Sequence, residues 1–317
     1  MNKFKKLGLT ALAGSLVAST AYAGEMSVAG SASIGIKNNS GTDGGKSITM
    51  GNQLTFSGGG ELDNGLTVAL SFVLDHADNV ASGFDSHSIT VSSDTLGSIT
   101  VAGDGTGNAQ SALDTTAAGD IWDNGFTYTG ANTKYTAMAG SDANNDKSIN
   151  YTFPTIMDDL ALAASYSGTT TATNSTTAWS ATYTGIEGLS VSYGSGEAGS
   201  TTATSAGDVT TMKGSYAIGS FTAAYSNTES DKDSTGTDEE MSSFKISYTV
   251  TDDLSISYGE ETHETSGESV DEEFEAISVS YTTGGMTLTA AQYDASGLGN
   301  TSGNTAERWK LGASFAF

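Results

Sequence analysis

The chain of 317 residues contains no cysteine, one proline (Pro154), and only 12 lysine and arginine residues against 37 aspartate and glutamate residues. The absence of cysteine excludes disulfide bonds and thiolate metal sites. The shortage of basic residues argues against nucleic acid as a partner, because nucleic acid needs a positively charged surface. An acid excess is also typical of disordered chains, but aromatic and β-branched residues recur here in short regular blocks, which favours a folded protein.

Long apolar runs are also missing, apart from one at the amino terminus. Residues 1–23 carry three lysines among the first six positions, continue with an apolar stretch and end in Ala21-Tyr22-Ala23. This layout predicts a secretory signal peptide cleaved after Ala23. The alternative is a transmembrane anchor, but serine and threonine interrupt the stretch, which is short for a span of about 20 residues. Residues 24–317 would then form the mature protein, with 9 basic and 37 acidic residues.

Almost every block of the mature chain alternates apolar with small polar residues, which predicts β-strands with two unlike faces. One example is LTVALSFVL (66–74), which places leucine, valine and phenylalanine on one face. Asn64-Gly65 precedes it, and Asn-Gly between alternating runs is a strong hairpin signal. Sixteen such blocks can be counted, and helical periodicity is almost absent.

Short turns and long polar segments alternate between the blocks. Seven short turns and eight long loops fit 16 antiparallel strands with both termini on the short-turn side. The short turns centre near Asn64, Leu96, Met157, Glu187, Gly219, Asp252 and Gly284. The long segments are 38–46, 75–86, 104–146, 168–176, 194–210, 226–242, 259–273 and 294–306.

Two kinds of all-β protein show this alternation. A soluble sandwich or solenoid buries its apolar face in a core, whereas a transmembrane barrel turns that face toward lipid. The barrel is favoured because the other face is mostly serine, threonine, glycine and asparagine, as suits a wet interior. Tyrosine also closes the apolar face of many strands, for example Tyr183, Tyr248 and Tyr281, and aromatic residues are typical of membrane interfaces.

The mature chain resembles a Gram-negative outer-membrane porin of the alphaproteobacterial general-diffusion type. The resemblance is carried, in order, by VAGSASIGI (28–36), GGGELDNGLTVALSF (58–72), LGSITVAGDG (96–105), SINYTFPTIMDDLALAASY (148–166) and the terminal Phe317. It implies an all-β, 16-stranded antiparallel transmembrane barrel whose third loop folds inward. It also implies a homotrimer in contact with outer-membrane lipid and lipopolysaccharide. Phe317 would be the signal that the barrel-assembly machinery reads.

The segment 104–146 follows the fifth predicted strand, where the resemblance places the inward-folded loop. Asn124–Gly140 can instead be interpreted as an extra hairpin, which would give 18 strands. Strand parity allows both numbers, and the family pattern favours 16 because it makes SINYTFP (148–154) the sixth strand.

The interior of such a barrel is a water-filled channel. By resemblance, an acidic constriction loop faces basic wall residues, and the loop here offers Asp104, Asp114, Asp120 and Asp123. Strand parity places five basic residues toward the interior: Lys37, Lys213, Lys245, Arg308 and Lys310. They either create a field across the pore or simply avoid lipid. The acid excess predicts a modest preference for cations.

The default function of such a channel is passive diffusion of small hydrophilic solutes and ions. Trp122, Phe126 and Tyr128 could form an aromatic track for a specific solute or could pack against the wall. Two carboxylate-rich segments, 231–240 and 259–269, could bind calcium, but neither follows a known calcium or zinc motif. A solvated loop surface is the favoured explanation of both segments, so no cofactor is expected.

Enzymatic activity is not predicted, because no nucleophile motif and no metal-ligand spacing is found in the sequence. An acidic structural or adhesin-type protein of the outer membrane, without channel activity, is the alternative function. The final strand, ERWKLGASFAF (307–317), argues for the barrel, because a secreted surface protein would not need it.

Overall fold

The computed structural model describes residues 26–38, 45–75, 86–104, 107–114, 116–124, 126, 148–168, 175–198, 207–232 and 237–317. The predicted signal peptide lies outside these residues. The strands are β1 (Ser27–Asn38), β2 (Lys46–Glu61), β3 (Thr67–Asp75), β4 (Ser86–Ser93), β5 (Gly97–Asp104), β6 (Ser148–Thr152), β7 (Leu160–Ser167), β8 (Thr176–Ile186), β9 (Leu189–Ala198), β10 (Gly207–Ile218), β11 (Phe221–Lys232), β12 (Glu239–Thr251), β13 (Leu254–Thr265), β14 (Glu272–Thr283), β15 (Met286–Ser296) and β16 (Ala306–Ala316).

These strands form one closed antiparallel barrel in which each strand pairs with its neighbours in sequence and β1 pairs with β16. The predicted 16-stranded barrel is therefore confirmed. β5 pairs directly with β6, from Ser98 opposite Thr152 to Ala102 opposite Ser148, so no extra hairpin lies between them in the sheet. Within the described residues, no helix is long and apolar enough to cross a membrane.

Apolar side chains cover the outside of the barrel. On β12, Phe244, Ile246 and Tyr248 are exposed on the outward face. Ser243 of the same strand is buried on the opposite, inward face. The same alternation recurs on the other strands, so the large hydrophobic surface that a soluble protein would bury faces outward here. This inside-out distribution is what a lipid environment requires of a barrel.

Outward tyrosines form an incomplete ring. They lie on strands β6 to β14, and the sequence has no tyrosine between Met26 and Asp104, the range that contains β1 to β5. The outward face of β2 carries Ile48, Met50, Leu54 and, between them, the polar Asn52. The outer surface of β1 to β5 therefore differs from the remainder of the barrel.

The strands on the long-loop side are longer than predicted. β11 continues to Lys232, β12 starts at Glu239, β13 continues to Thr265 and β14 starts at Glu272. The predicted loop bounds 226–242 and 259–273 are therefore wrong. The bounds 194–210 are wrong for the same reason, because β9 extends to Ala198 and β10 starts at Gly207. The outward face is polar in this part of the barrel, so hydrophobic alternation no longer marks a strand although the ladder of hydrogen bonds continues.

Candidate functional site: the barrel interior

A loop between β5 and β6 crosses the interior of the barrel. Its described part, 107–126 without 115 and 125, contains two short 3-10 turns, Ser111–Leu113 and Ile121–Asp123. We call this segment the internal loop. It contacts inward side chains of strands on several sides of the barrel, and these contacts show that it lies inside the barrel wall, as predicted for the inward-folded loop.

Hydrogen bonds from wall side chains hold the first half of the internal loop. The backbone N–H of Ala109 donates to Ser165 Oγ of β7 at 2.9 Å. The buried Gln110 donates through Nε2 to Thr211 Oγ1 of β10 at 2.7 Å, and Thr211 is in turn 2.9 Å from Thr228 Oγ1 of β11. Leu113 lies close to Gly194 of β9, where a Cβ would come within 2.7 Å of its side chain.

Wall contacts also hold the second half of the internal loop. The N–H of Ala118 donates to Ser243 Oγ of β12 at 2.8 Å, and the N–H of Trp122 donates to Glu261 Oε2 of β13 at 3.0 Å. Glu261 is almost fully buried. Because a buried carboxylate is a strong acceptor of backbone N–H groups, this contact fixes the backbone of the second turn.

One predicted acidic residue and one predicted basic residue meet across the interior. Asp114 Oδ2 of the internal loop lies 2.8 Å from Lys213 Nζ of β10, and Lys213 also donates to the carbonyl of Thr116 at 3.2 Å. Both side chains keep contact with solvent, so this ion pair adds modest stability and mainly fixes the position of the loop.

The other predicted acidic residues occupy different environments. Asp120 is exposed and accepts a hydrogen bond from Thr116 Oγ1 at 2.8 Å, and Asp123 is exposed at the end of the second turn. Asp104 ends β5, where its backbone pairs with that of His87. The structure thus places two exposed carboxylates, Asp120 and Asp123, on the internal loop.

The remaining basic residues lie on three strands at inward positions. Lys37 of β1 is directly opposite Lys310 of β16 in the sheet register, and Lys245 of β12 lies between the outward residues Phe244 and Ile246. Arg308 of β16 is only 3% exposed, and its guanidinium donates to the carbonyl of Asn124 in the internal loop. Arg308 therefore holds the loop rather than facing open water.

A small hydrophobic cluster seals the internal loop against the wall. It comprises Ile121 and Phe126 of the loop, Met241, Phe274 and Ala295 of the wall, and Leu298. The rings of Phe126 and Phe274 lie 5.6 Å apart between centroids. Phe126 thus packs against the wall, while Tyr128 lies outside the described residues.

Several interior residues escaped the sequence analysis. They are Gln110, Glu239, Glu261, His263, Glu272, Phe274 and Leu298, all buried. Glu261 and His263 of β13 could have been found by continuing the in–out alternation of this strand past Tyr258. Because Ile256 and Tyr258 point outward, Glu261 and His263 point inward. This continuation was hidden because both faces of the strand are polar there.

A closed barrel with an apolar exterior, a polar interior and a loop folded inside is the architecture of outer-membrane channels. The chain matches the Gram-negative porin family over residues 8–317 and belongs to that family. It is therefore a protein of the outer membrane. A comparison with curated proteins finds no match.

Solved structures of bacterial porins share the fold. An anion-selective porin from Comamonas acidovorans is 15% identical, with a TM-score of 0.69 over 92% of this chain and 99% of that one. The trimer form of OmpT from Vibrio cholerae is 19% identical, with a TM-score of 0.66 over 93% of this chain and 100% of that one. OmpF from Salmonella typhi is 13% identical, with a TM-score of 0.68 over 93% and 98%. At these identities the likeness shows the fold alone.

Proposed function

We propose that the protein forms a water-filled channel through which small hydrophilic solutes and ions diffuse passively, with a preference for cations. The observation that carries the proposal is the internal loop, which narrows a closed barrel without filling the whole of its interior: Asp120 and Asp123 stay exposed. No chemical step is needed, because passage depends on size and charge. The narrower assignment to the alphaproteobacterial type rests on the sequence resemblance and stays a prediction.

The proposal can be tested by solute uptake into proteoliposomes. Small sugars should enter vesicles that contain the folded protein faster than vesicles without it, and the rate should fall steeply as the sugar becomes larger. Uptake that does not depend on the protein would contradict the proposal.

The charges of the interior define the proposed constriction. Asp120 and Asp123 extend from the internal loop, and Asp114 is partly neutralised by Lys213. Lys37, Lys245 and Lys310 provide positive charge on the wall. The preference for cations is proposed because Arg308 is covered by the loop and the acidic residues outnumber the basic ones in the chain as a whole.

We further propose that three copies associate through the outer surface of β1 to β5. This surface lacks tyrosine, which elsewhere marks contact with the lipid interface, and it carries Asn52 among apolar residues. A polar amide is more easily accommodated against protein than against lipid. The trimer form of OmpT, which shares the fold, supports the proposal.

A pair of methionine variants tests this association. Met50 of β2 and Met212 of β10 both face outward, with exposed fractions of 77% and 51%. An arginine on the lipid face costs about 2–4 kcal/mol at mid-membrane. Met50→Arg should convert trimers into monomers on a semi-native gel, because it places a charge in the interface, whereas Met212→Arg should leave the trimer intact. An intact trimer in Met50→Arg would contradict the assigned surface.

The outer surface of β10 to β16 carries a belt of carboxylates on the long-loop side. The register places several of them directly opposite one another, including Glu229 with Glu240, Glu260 with Glu275 and Asp294 with Glu307. Like charges in such positions repel.

Within the described part of the chain, no group of three or more acidic or histidine residues is arranged to hold a metal ion. We propose that divalent cations, calcium among them, are instead shared between this belt and the phosphates of lipopolysaccharide.

The shared-cation proposal predicts a dependence on chelation. Removing divalent cations from trimers embedded in lipopolysaccharide should lower their melting temperature, because the repulsion between the carboxylates is no longer screened. The same treatment in a neutral detergent should have a smaller effect. Equal shifts in both environments would contradict the role of the lipid phosphates.

We also propose that the protein is exported with a signal peptide that is cleaved after Ala23, and that the barrel-assembly machinery recognises Phe317. Mass spectrometry of the protein isolated from outer membranes would locate the cleavage site.

A further inference from the structure

The last long loop, residues 297–305, turns back into the barrel. Its Leu298 is 3% exposed and belongs to the cluster formed by Ile121 and Phe126 of the internal loop with Met241 and Phe274 of the wall. A leucine in a long polar loop is normally exposed. Here it is buried against the segment that narrows the pore.

Hydrogen bonds within the last loop fix the position of Leu298. The N–H of Leu298 donates to the carbonyl of Asn304 at 3.2 Å, and Asn304 Nδ2 donates to the carbonyl of Leu298 at 3.0 Å. Gly297 and Gly299 on either side have φ values of 67° and 68°. This left-handed conformation favours glycine and makes the sharp turn that directs the loop inward.

Buried polar contacts tie the last loop to the wall. The N–H of Gly299 donates to Glu272 Oε1 of β14 at 2.6 Å, and Glu272 Oε2 lies 3.2 Å from His263 Nδ1 of β13. Asn300 Nδ2 donates to the carbonyl of Val270 at 3.0 Å. Because Glu272 and His263 are both fully buried, moving the loop would leave a buried carboxylate without one of its hydrogen bonds.

The internal loop is therefore held by two sets of contacts in this region. On the wall side, Glu261 accepts a hydrogen bond from the N–H of Trp122 and Ser243 accepts one from Ala118. In addition, Leu298 of the last loop belongs to the apolar cluster that contains Ile121 and Phe126. The acidic residues Asp120 and Asp123 lie on the same stretch of chain, so its position sets where these charges lie in the pore.

We propose that Leu298 is a positioning residue for the constriction: the last loop inserts it against the internal loop, and so holds Ala118–Asn124 and Phe126 in place. The inference rests on the proposed channel function. It assigns to the last loop a part in fixing the constriction that its sequence of small polar residues does not reveal.

The first test compares Leu298→Ala with Leu288→Ala in planar bilayers. Both variants make the same chemical change on or beside β15, but Leu288 faces outward and is 41% exposed. Truncating a buried leucine removes its packing, so transitions between current sublevels should become more than about tenfold more frequent in Leu298→Ala. Leu288→Ala should behave like the wild type. Unchanged transitions in folded Leu298→Ala trimers would overturn the proposal.

The second test measures docking directly and does not need a conducting channel. Because the chain has no cysteine, Leu298→Cys and Thr301→Cys each introduce a single thiol into the last loop. The thiol at 298 should react with a maleimide at least about tenfold more slowly than the thiol at the exposed position 301. Adding Phe126→Ala should accelerate the reaction at 298 but not at 301. Equal rates at both positions would overturn the docking.

The two tests separate this inference from the proposed function. A folded wild-type protein that does not conduct would overturn the channel function, but the thiol protection would still report whether Leu298 is docked. A conducting protein with an unprotected thiol at 298 would overturn the positioning role alone.

Discussion

Deletion of Phe317 is expected to reduce the amount of assembled barrel in the outer membrane by more than about tenfold, because an unsealed seam exposes unpaired backbone groups to lipid. Phe317 exchanges two hydrogen bonds with Gly30 of β1, with N–O distances of 2.7 and 2.9 Å. These are the last bonds between the first and final strands. Heat-modifiable mobility of the membrane fraction on gels measures the assembled amount. Barrels that do form should conduct like the wild type. Phe317 follows the far end of β16 from Arg308, the residue of this strand that contacts the internal loop.

A pair of glycine variants tests whether the ring of Phe317 matters as well as its backbone. A Cβ on Gly30 would come within 2.3 Å of the ring, whereas a Cβ on Gly58 of β2 meets nothing within 4 Å. Gly30→Ala should therefore displace the ring and lower assembly, and Gly58→Ala should not. Equal yields of the two variants would show that the contact of the Phe317 ring with β1 is not needed for assembly.

Replacement of Asp114, Asp120 and Asp123 by asparagine is expected to lower the permeability ratio of cations to anions several-fold. Asparagine keeps the shape of each side chain but removes three negative charges from the internal loop. Lys37, Lys245 and Lys310 of the wall remain, together with Lys213, which loses its ion-pair partner. The reversal potential in a potassium chloride gradient measures the ratio. The wild type should prefer cations, and the difference between the two proteins should be largest at low salt, where screening is weak.

A control with the same change in net charge isolates the effect of position. Asp158, Asp252 and Asp253 are exposed in short turns between strands. Their replacement by asparagine should leave the reversal potential close to that of the wild type, because the charges lie outside the constriction. If both triple variants shift the potential equally, then the total charge and not the internal loop controls selectivity. An anion-preferring wild type would contradict the proposed selectivity itself.

The sequence predicts most of the barrel because its strands obey a local rule. Apolar and small residues alternate wherever one face meets lipid and the other meets water, and the seven short turns follow from the breaks in this alternation. The rule fails beyond Tyr225 on β11 and beyond Tyr258 on β13, where both faces are polar. The strands continue there because their neighbours still pair with them, which is a non-local effect.

The interior is only partly predictable for a similar reason. Strand parity gives the direction of Lys213, Lys245 and Arg308, because direction is a local property of a strand. Which of them meets water depends on the path of the internal loop: Arg308 is covered by Asn124, and Lys213 is paired with Asp114. The cluster that contains both Leu298 and Ile121 joins residues far apart in the chain, and no pattern along the sequence indicates it.

The central claim is that this barrel is an open, narrowed channel, and single-channel recording in planar bilayers tests it most directly. Purified protein with the heat-modifiable mobility of a folded barrel should insert in discrete conductance steps of uniform size, with cations carrying most of the current. Folded protein that inserts into the bilayer but gives no conductance steps would contradict the account.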